Sequence, residues 1–445
     1  MISAFDYDGR KMKAQPKSVV LLCLAVACLS PAFAESGTWT TPVSLSIGGQ
    51  GWESAAAMDA AGNSIALWDE RTTQDQLWSR SKPAGGNWGH VAPVSAALQT
   101  TLVFPAVHMT ANGFATAVWT DSTGIWTADR LSTGKWNPPQ LLGPEASGPL
   151  FAMNARGDAV VAWAIDGPSA SQNSVMAALR PAGQSWTSPQ ILATSAFIAA
   201  DQVGISENGD VIVAWETFIV ICREGNCFST NFALHTSRNN GQGWAHTGIL
   251  LGPDDESHIA HVALDAGGHA LLLALNSSGA YVSAIQGPTG NTWSTFNTAV
   301  FVNGLTLESG LASDFQGNVT MVYETINLTT SQAFAISGSI ADNTWSPPVL
   351  LSGADANVSQ IYFEVAPNGV GAAIWLSSSG TPEIHAIIRT GSIATWSAPV
   401  TVSAPGSTEI SPEAAAVSAS GSAIIIYSGY NQADVHTEYV SNYTP

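Results

Sequence analysis

Carboxylates are the residues of this chain best placed to do chemistry. Asp69 and Glu70, Asp121, Asp166, Glu216 and Glu324 stand in or beside short loops that follow apolar runs such as SIALW and VIVAW. Two such groups, held roughly 5 to 10 Å apart with their pKa values driven in opposite directions, make the acid and base of a glycosidase. Asp69, Glu216 and Glu324 are the candidates for that work. Their wide separation along the chain supports the plainer reading, solvated loop acids on an acidic protein. Asp254, Asp255 and Glu256, followed by His258 and His261, offer oxygens to Ca2+ or nitrogens to a transition metal. The run lacks EF-hand spacing, and on a strand His258 and His261 would face opposite ways. A polar loop without a cofactor is therefore expected. Arg156-Gly157-Asp158 spells an adhesive tripeptide but sits where other parts of the chain carry a turn. Neither a Gly-x-Ser-x-Gly elbow nor a His-Glu-x-x-His pair nor a phosphate-cradling glycine loop is present.

Composition narrows the partners. The 445 residues carry 33 acidic against 14 basic side chains, a net charge of −19, so nucleic acid and other polyanions would be repelled. Lys11, Lys13 and Lys17, the apolar run Val19 to Leu29 and Ala32-Phe33-Ala34 read as a secretory signal over residues 1–34. Its removal leaves residues 35–445, with ten basic against 31 acidic side chains and a charge of −21. Lipid attachment at Cys28 is a minor alternative, and export to the periplasm or the medium is the expected destination. The eleven-residue run is too short to span a bilayer, which takes roughly 20 residues, so no membrane insertion is expected. Cys222 and Cys227 flank four residues, and an oxidising compartment makes them a disulfide that pinches a loop.

The elements that position these residues are read from a repeat. Glycines 62, 113, 157, 209, 268, 317, 369 and 421 recur 44 to 59 residues apart. Six residues after each come Trp68, Trp119, Trp163, Trp215, Ala274, Tyr323, Trp375 and Tyr427, aromatic in seven of eight copies. A second phase, Trp39, Trp88, Trp136, Trp186, Trp244, Trp293, Trp345 and Trp396, opens short runs such as WTTPVSLS and WSPPVLLS. Each copy parses into four strands, and the second (SIALW, VVAW, AIIIY) is apolar on both faces, as a strand covered from both sides must be. Four-stranded units of about fifty residues are β-propeller blades. The fold expected is an all-β, eight-bladed propeller of antiparallel blades in one domain. Because the last copy ends after its third strand, the N-terminal WTTPVSLS is expected to supply its fourth and close the ring.

The turn before each fourth strand is similar to the Asp-box of sialidase-like (BNR-repeat) propellers. Ser237 to Trp244, SRNNGQGW, places Asn239 where that box has Asp; Ser81, Gly85 and Trp88, and Gly183 and Trp186, repeat parts of it. The resemblance implies a structural turn and a propeller fold. It also implies what sialidase activity would need, three converging arginines. Arg80, Arg130, Arg180, Arg238 and Arg389 all precede the third-to-fourth turn and Arg156 lies in the first-to-second turn, on the face opposite the usual catalytic one.

Sixteen tryptophans less the thirteen in the two phases leave Trp52, Trp78 and Trp126. These indoles are either platforms for a sugar ring or packing between blades. The sequence thus reads as an exported monomeric propeller that recognises carbohydrate or an extracellular protein without catalysing, with a glycan hydrolase built on loop carboxylates as the alternative.

Overall fold

The computed structural model describes residues 37–445 apart from 49, 72–73, 97–102, 132, 145–146, 168–171, 224–225, 248–257, 277–278, 291, 302–308, 328–329, 354–356, 391–394 and 431–434. The expected export signal with Cys28, and the run Asp254, Asp255, Glu256, lie outside the described residues. Among the described residues every regular element is a strand, and the strands form an eight-bladed propeller of antiparallel four-stranded blades. Blade 1 comprises Gln50–Met58, Ser64–Arg71, Asp75–Lys82 and Ala92–Pro93 in order from the axis outward. The inner three strands of blade 8 are Thr408–Val417, Ala423–Tyr430 and His436–Thr444. Its outer strand comes from the other end of the chain, with Thr38 and Trp39 paired to Thr444 and Tyr443, and Val43 and Ser44 paired to Val440 and Tyr439.

The repeat's two phases have separate jobs. All eight turn glycines have φ between 79° and 99°, a region that side chains with a Cβ rarely enter, and each amide donates to the carbonyl three residues earlier. Asp59 Oδ1 tightens the first of these turns by accepting from the Ala61 and Asn63 amides. The aromatics that follow are buried at the centre of each sheet, Trp68, Trp119, Trp163, Trp375 and Tyr427 almost completely. In the fifth copy Ala274 is instead covered by Leu234, Val282 and Phe296, so the missing ring is replaced by repacking.

Tryptophans of the second phase lead the outer strands and reach into the preceding blade. Trp136, Trp293 and Trp345 donate their indole N–H to Ser79, Thr236 and Ser283 at 2.9 to 3.0 Å. The outer strands are short or broken and carry prolines (Pro42, Pro93, Pro189, Pro348, Pro399), which offer no N–H to a foreign strand at the exposed rim. The arginines before the third-to-fourth turns are ties between blades. Arg180 binds Asp129 at 2.5 Å and Thr116 at 2.7 Å, Arg238 binds Asp210 and the Gly268 carbonyl, and Arg130 binds Ser81. Arg389 bonds Thr320 of the blade before it. Their guanidiniums are spent on architecture.

Inner strands deviate from regular pairing near their starts. In blades 1, 2, 3, 7 and 8 two residues bulge out of the ladder, among them Trp52 and Glu53, and a further bulge in blade 8 isolates Glu413. Phe104, Gln360 and Glu409 pass through the left-handed region at φ of 56°, 55° and 49°, which costs a side-chain-bearing residue about 1 to 3 kcal/mol. Bulges redirect side chains. Here they crowd the rim of the axis on the side of the second-to-third loops.

Candidate functional site

Asp69, Glu216 and Glu324 each stand one residue after the central aromatic of a blade, at the same end of the second strand. They belong to blades 1, 4 and 6 and do not converge. Nor are they the solvated loop acids expected: relative exposure is 0%, 5% and 2%, and beside Asp69 and Glu216 the inner strand bulges, while the ladder next to Glu324 is regular. Asp69 Oδ1 collects the two amides that the bulge frees, Trp52 at 3.1 Å and Glu53 at 2.7 Å. Glu216 faces His258 of blade 5 at 3.2 Å and raises the pKa of Asp201, the bulge residue of its own blade, which burial first and Glu216 second push up to about 8. His258 and His261 point to different neighbours, Glu216 of blade 4 and Ser309 of blade 6, and among the described residues no group of His, Cys, Asp and Glu is arranged to hold a metal.

The densest acidic constellation was not apparent from the sequence. Ring closure sets blade 8 against blade 1, and there Asp69 and Glu70 meet Glu53, Glu413 and Glu438. Glu70 is a structural acid: it accepts from the Trp68 indole at 2.8 Å and from the Ile47 amide at 3.0 and 3.1 Å, fastening the segment that follows the N-terminal strand. Glu53 and Glu413 are half-buried. Glu53 accepts the Phe104 amide of blade 2, and Glu413 accepts the Ser428 hydroxyl at 2.8 Å. Glu438 has no exposed surface and neither carboxyl oxygen has a hydrogen-bond partner; the Ser54 hydroxyl lies close enough to favour its charge but completes no bond by strict geometry. The second oxygen of Asp69 is also unbonded, with Arg71 Nε 3.8 Å away.

Physics accounts for the electrostatics. Burial, then Glu413 and Asp69, hold Glu438 well above the ordinary carboxylate range. Burial raises Glu413 to about 7, with Glu53 and Asp69 adding to it against the Ser428 and Ser411 hydroxyls. Burial likewise raises Asp69 to about 6, despite the opposing Glu53 and Trp52 amides and Arg71. Pairs of carboxyls perturbed by burial and by each other mark functional sites more often than chance.

Trp52 borders these acids, its amide on Asp69. It is 39% exposed, stacks on His436 with centroids 4.9 Å apart and 16° between planes, and carries the Arg71 guanidinium 5.3 Å from its ring centroid. His436 is fixed in turn by a bond from its Nδ1 to the Gly51 carbonyl and by Tyr430 edge-on at 5.0 Å. Trp78 and Trp126 lie elsewhere, as cross-strand partners of Trp68 and Trp119 packed into inter-blade cores. Of the three unphased indoles, only Trp52 reaches the cleft. Arg156-Gly157-Asp158 is a first-to-second turn in which Asp158 binds Arg156 at 2.7 Å and caps the Ala182 amide. Cys222 and Cys227 are direct cross-strand partners in a long hairpin of blade 4.

No family profile and no curated protein matches the sequence. Many solved structures share its fold. An ulvan lyase of polysaccharide lyase family PL25, bound to -[GlcA(1-4)Rha3S]-, superposes with a TM-score of 0.50 at 10% identity, over 83% of this chain and 97% of its own. The polysaccharide lyase Uly1 gives 0.50 at 8% identity, over 92% and 100%. A Hadza microbial sialidase gives 0.35 at 11% identity, over 79% and 66%. At these identities the likeness to the two polysaccharide lyases is one of fold, a propeller.

Proposed function

We propose that the chain is an exported, monomeric recognition propeller that binds carbohydrate at the rim between blades 8 and 1 and performs no chemistry on it. The observation that carries this reading is Trp52. An indole stacked on His436, with the Arg71 guanidinium over its ring and 39% of its surface exposed, is pre-organised to pack against a pyranose ring. A saccharide ligand is in keeping with the polysaccharide lyases that share the fold. In this reading residues 1–34 direct export, Cys222 and Cys227 form a disulfide at the tip of the blade 4 hairpin, and the Ser237 to Trp244 turn is an Asp-box relative whose Asn239 caps the Gly241 amide. A screen of oligosaccharides against the wild-type protein and Trp52→Ala tests it. Binding that the substitution abolishes supports the reading, and binding unchanged by it overturns the site.

One observation favours glycan hydrolysis as a second reading: Glu413, raised to about 7, would be protonated near neutrality beside Asp69, as a general acid must be. Chain shortening in the same incubations, lost in Glu413→Gln, would establish it.

A further inference from the structure

The seam holds five carboxyl groups, from Glu53, Asp69, Glu70, Glu413 and Glu438, and among the described residues the one cation seen against them is Arg71. That cation does not neutralise the cleft. Its Nε makes no hydrogen bond, stands 3.8 Å from Asp69 and 3.6 Å from Asp75, and its guanidinium lies over Trp52. Near Glu413 and Asp69 the wholly buried Glu438 carries two unpartnered oxygens. Buried polar atoms without partners are rare in folded proteins, and a wall of them in one direction points to something that arrives from outside.

We propose that this seam is a receptor for a protonated amine on a sugar, so that the glycan recognised is amino-sugar rich and cationic. The proposal rests on the carbohydrate reading above and gives its ligand a chemical class. The sugar ring packs on the exposed part of Trp52, and the ammonium enters between Glu53 and Glu413, where charge-assisted hydrogen bonds to both are shorter and stronger than neutral ones. An ammonium over or beside the indole gains further from the ring's negative face. A carboxylate-bearing sugar meets five carboxyl groups with only Arg71 seen against them.

An empty cleft of mutually repelling carboxyls holds protons, which the arriving ammonium displaces. Binding should therefore release protons, a signature that neither stacking nor a purely structural acid cluster produces. The test is titration calorimetry of the whole protein with glucosamine oligomers, N-acetylglucosamine oligomers of equal length and glucuronate-containing oligomers, each at a mildly acid pH at which the sugar amine is already fully protonated, in two buffers of different protonation enthalpy. The glucosamine oligomer is expected to bind at least about tenfold more tightly than its N-acetylated counterpart, with protons released into the buffer. Glu413→Gln and Glu53→Gln should each erase most of that preference while N-acetylated binding persists. Equal affinity for the two oligomers, a preference for the uronate, or tighter binding of a lysine-rich peptide than of any sugar overturns the amine assignment. Failure of every sugar to bind overturns the carbohydrate reading itself.

Discussion

Replacing Glu413 by Gln removes one ionisable member of the seam without changing its shape, and the effect on stability follows from linkage. Burial raises Glu413 from 4.5 to about 7, so between those values the folded chain holds a proton that the unfolded chain has released. Folding stability therefore falls as pH rises through that window and levels off above it. One pH unit of difference between the two states is worth about 1.4 kcal/mol, which makes the loss about 3 kcal/mol. For roughly 400 ordered residues at about 2.1 cal/mol/K each, that loss lowers the melting temperature by about 3 to 4 °C. Asp201 and Glu364, also raised to about 8 and about 7, contribute slopes of the same sign, so the informative quantity is the difference between wild type and variant. Melting curves or urea titrations at about pH 4.5 and about pH 8 measure it. The wild type should lose stability across the interval, and Glu413→Gln should lose about 3 kcal/mol less, or still less if relief of Glu438 adds to the effect. Parallel pH profiles for the two proteins would refute the raised pKa, and with it the picture of a proton-holding cleft.

Trp78→Ala and Trp126→Ala should each destabilise by about 3 to 5 kcal/mol with glycan binding intact in the folded fraction, whereas Trp52→Ala should abolish binding at a smaller cost in stability; urea titration and calorimetry separate the two. Arg180→Met removes the buried guanidinium that ties Asp129 and Thr116 across the blade 2 to blade 3 joint; because Asp129 is 32% exposed and keeps the Thr116 hydroxyl, the cost by urea titration should be about 1 to 3 kcal/mol, above that of the exposed pair Arg156 with Asp158. Tyr443→Ala removes the ring that tilts against Trp39 at 5.1 Å and the hydroxyl that accepts the Gly37 amide; hydrogen exchange in the 38–44 segment should accelerate before any global unfolding. Loss of the expected disulfide in Cys222→Ser should loosen the blade 4 hairpin and leave glycan binding unchanged, because the hairpin tip belongs to another blade than the seam.

Much of the fold is legible in the chain because its determinants are local. A glycine that must take positive φ, an aromatic six residues on, and a tryptophan opening each outer strand are spaced within one blade, so their phases survive in sequence. Glu53 and Asp69 are likewise close in sequence, but Glu413 and Glu438 are more than 340 residues away, and only ring closure unites the four. The accessible hint was a charge among small residues, Glu413 in SPEAAAV and Glu438 in HTEYVSNY. The misjudged burial of Asp69, Glu216 and Glu324 has a different cause. Beside Asp69 and Glu216 the inner strand bulges, and a bulge depends on pairing register between two strands, which neither sequence displays alone; Glu324 is buried beside a regular ladder.

Closure and recognition are built from the same stretch of chain. After pairing with blade 8, the N-terminal segment donates the Leu45 amide to the Glu438 carbonyl, accepts the Glu438 amide at Ser46, places the Ile47 amide on Glu70, and delivers the Trp52 and Glu53 amides to Asp69. Each acid of the cleft except Glu413 is thus held at its backbone or its carboxyl by residues 45 to 53, or lies within them. The burial that raises these acids exists only while the ring is shut. An open seam would hydrate Glu438 and Asp69, return them toward ordinary acidity and turn Trp52 away from His436, so the geometry that could receive a sugar is a property of the closed wheel and not of either blade.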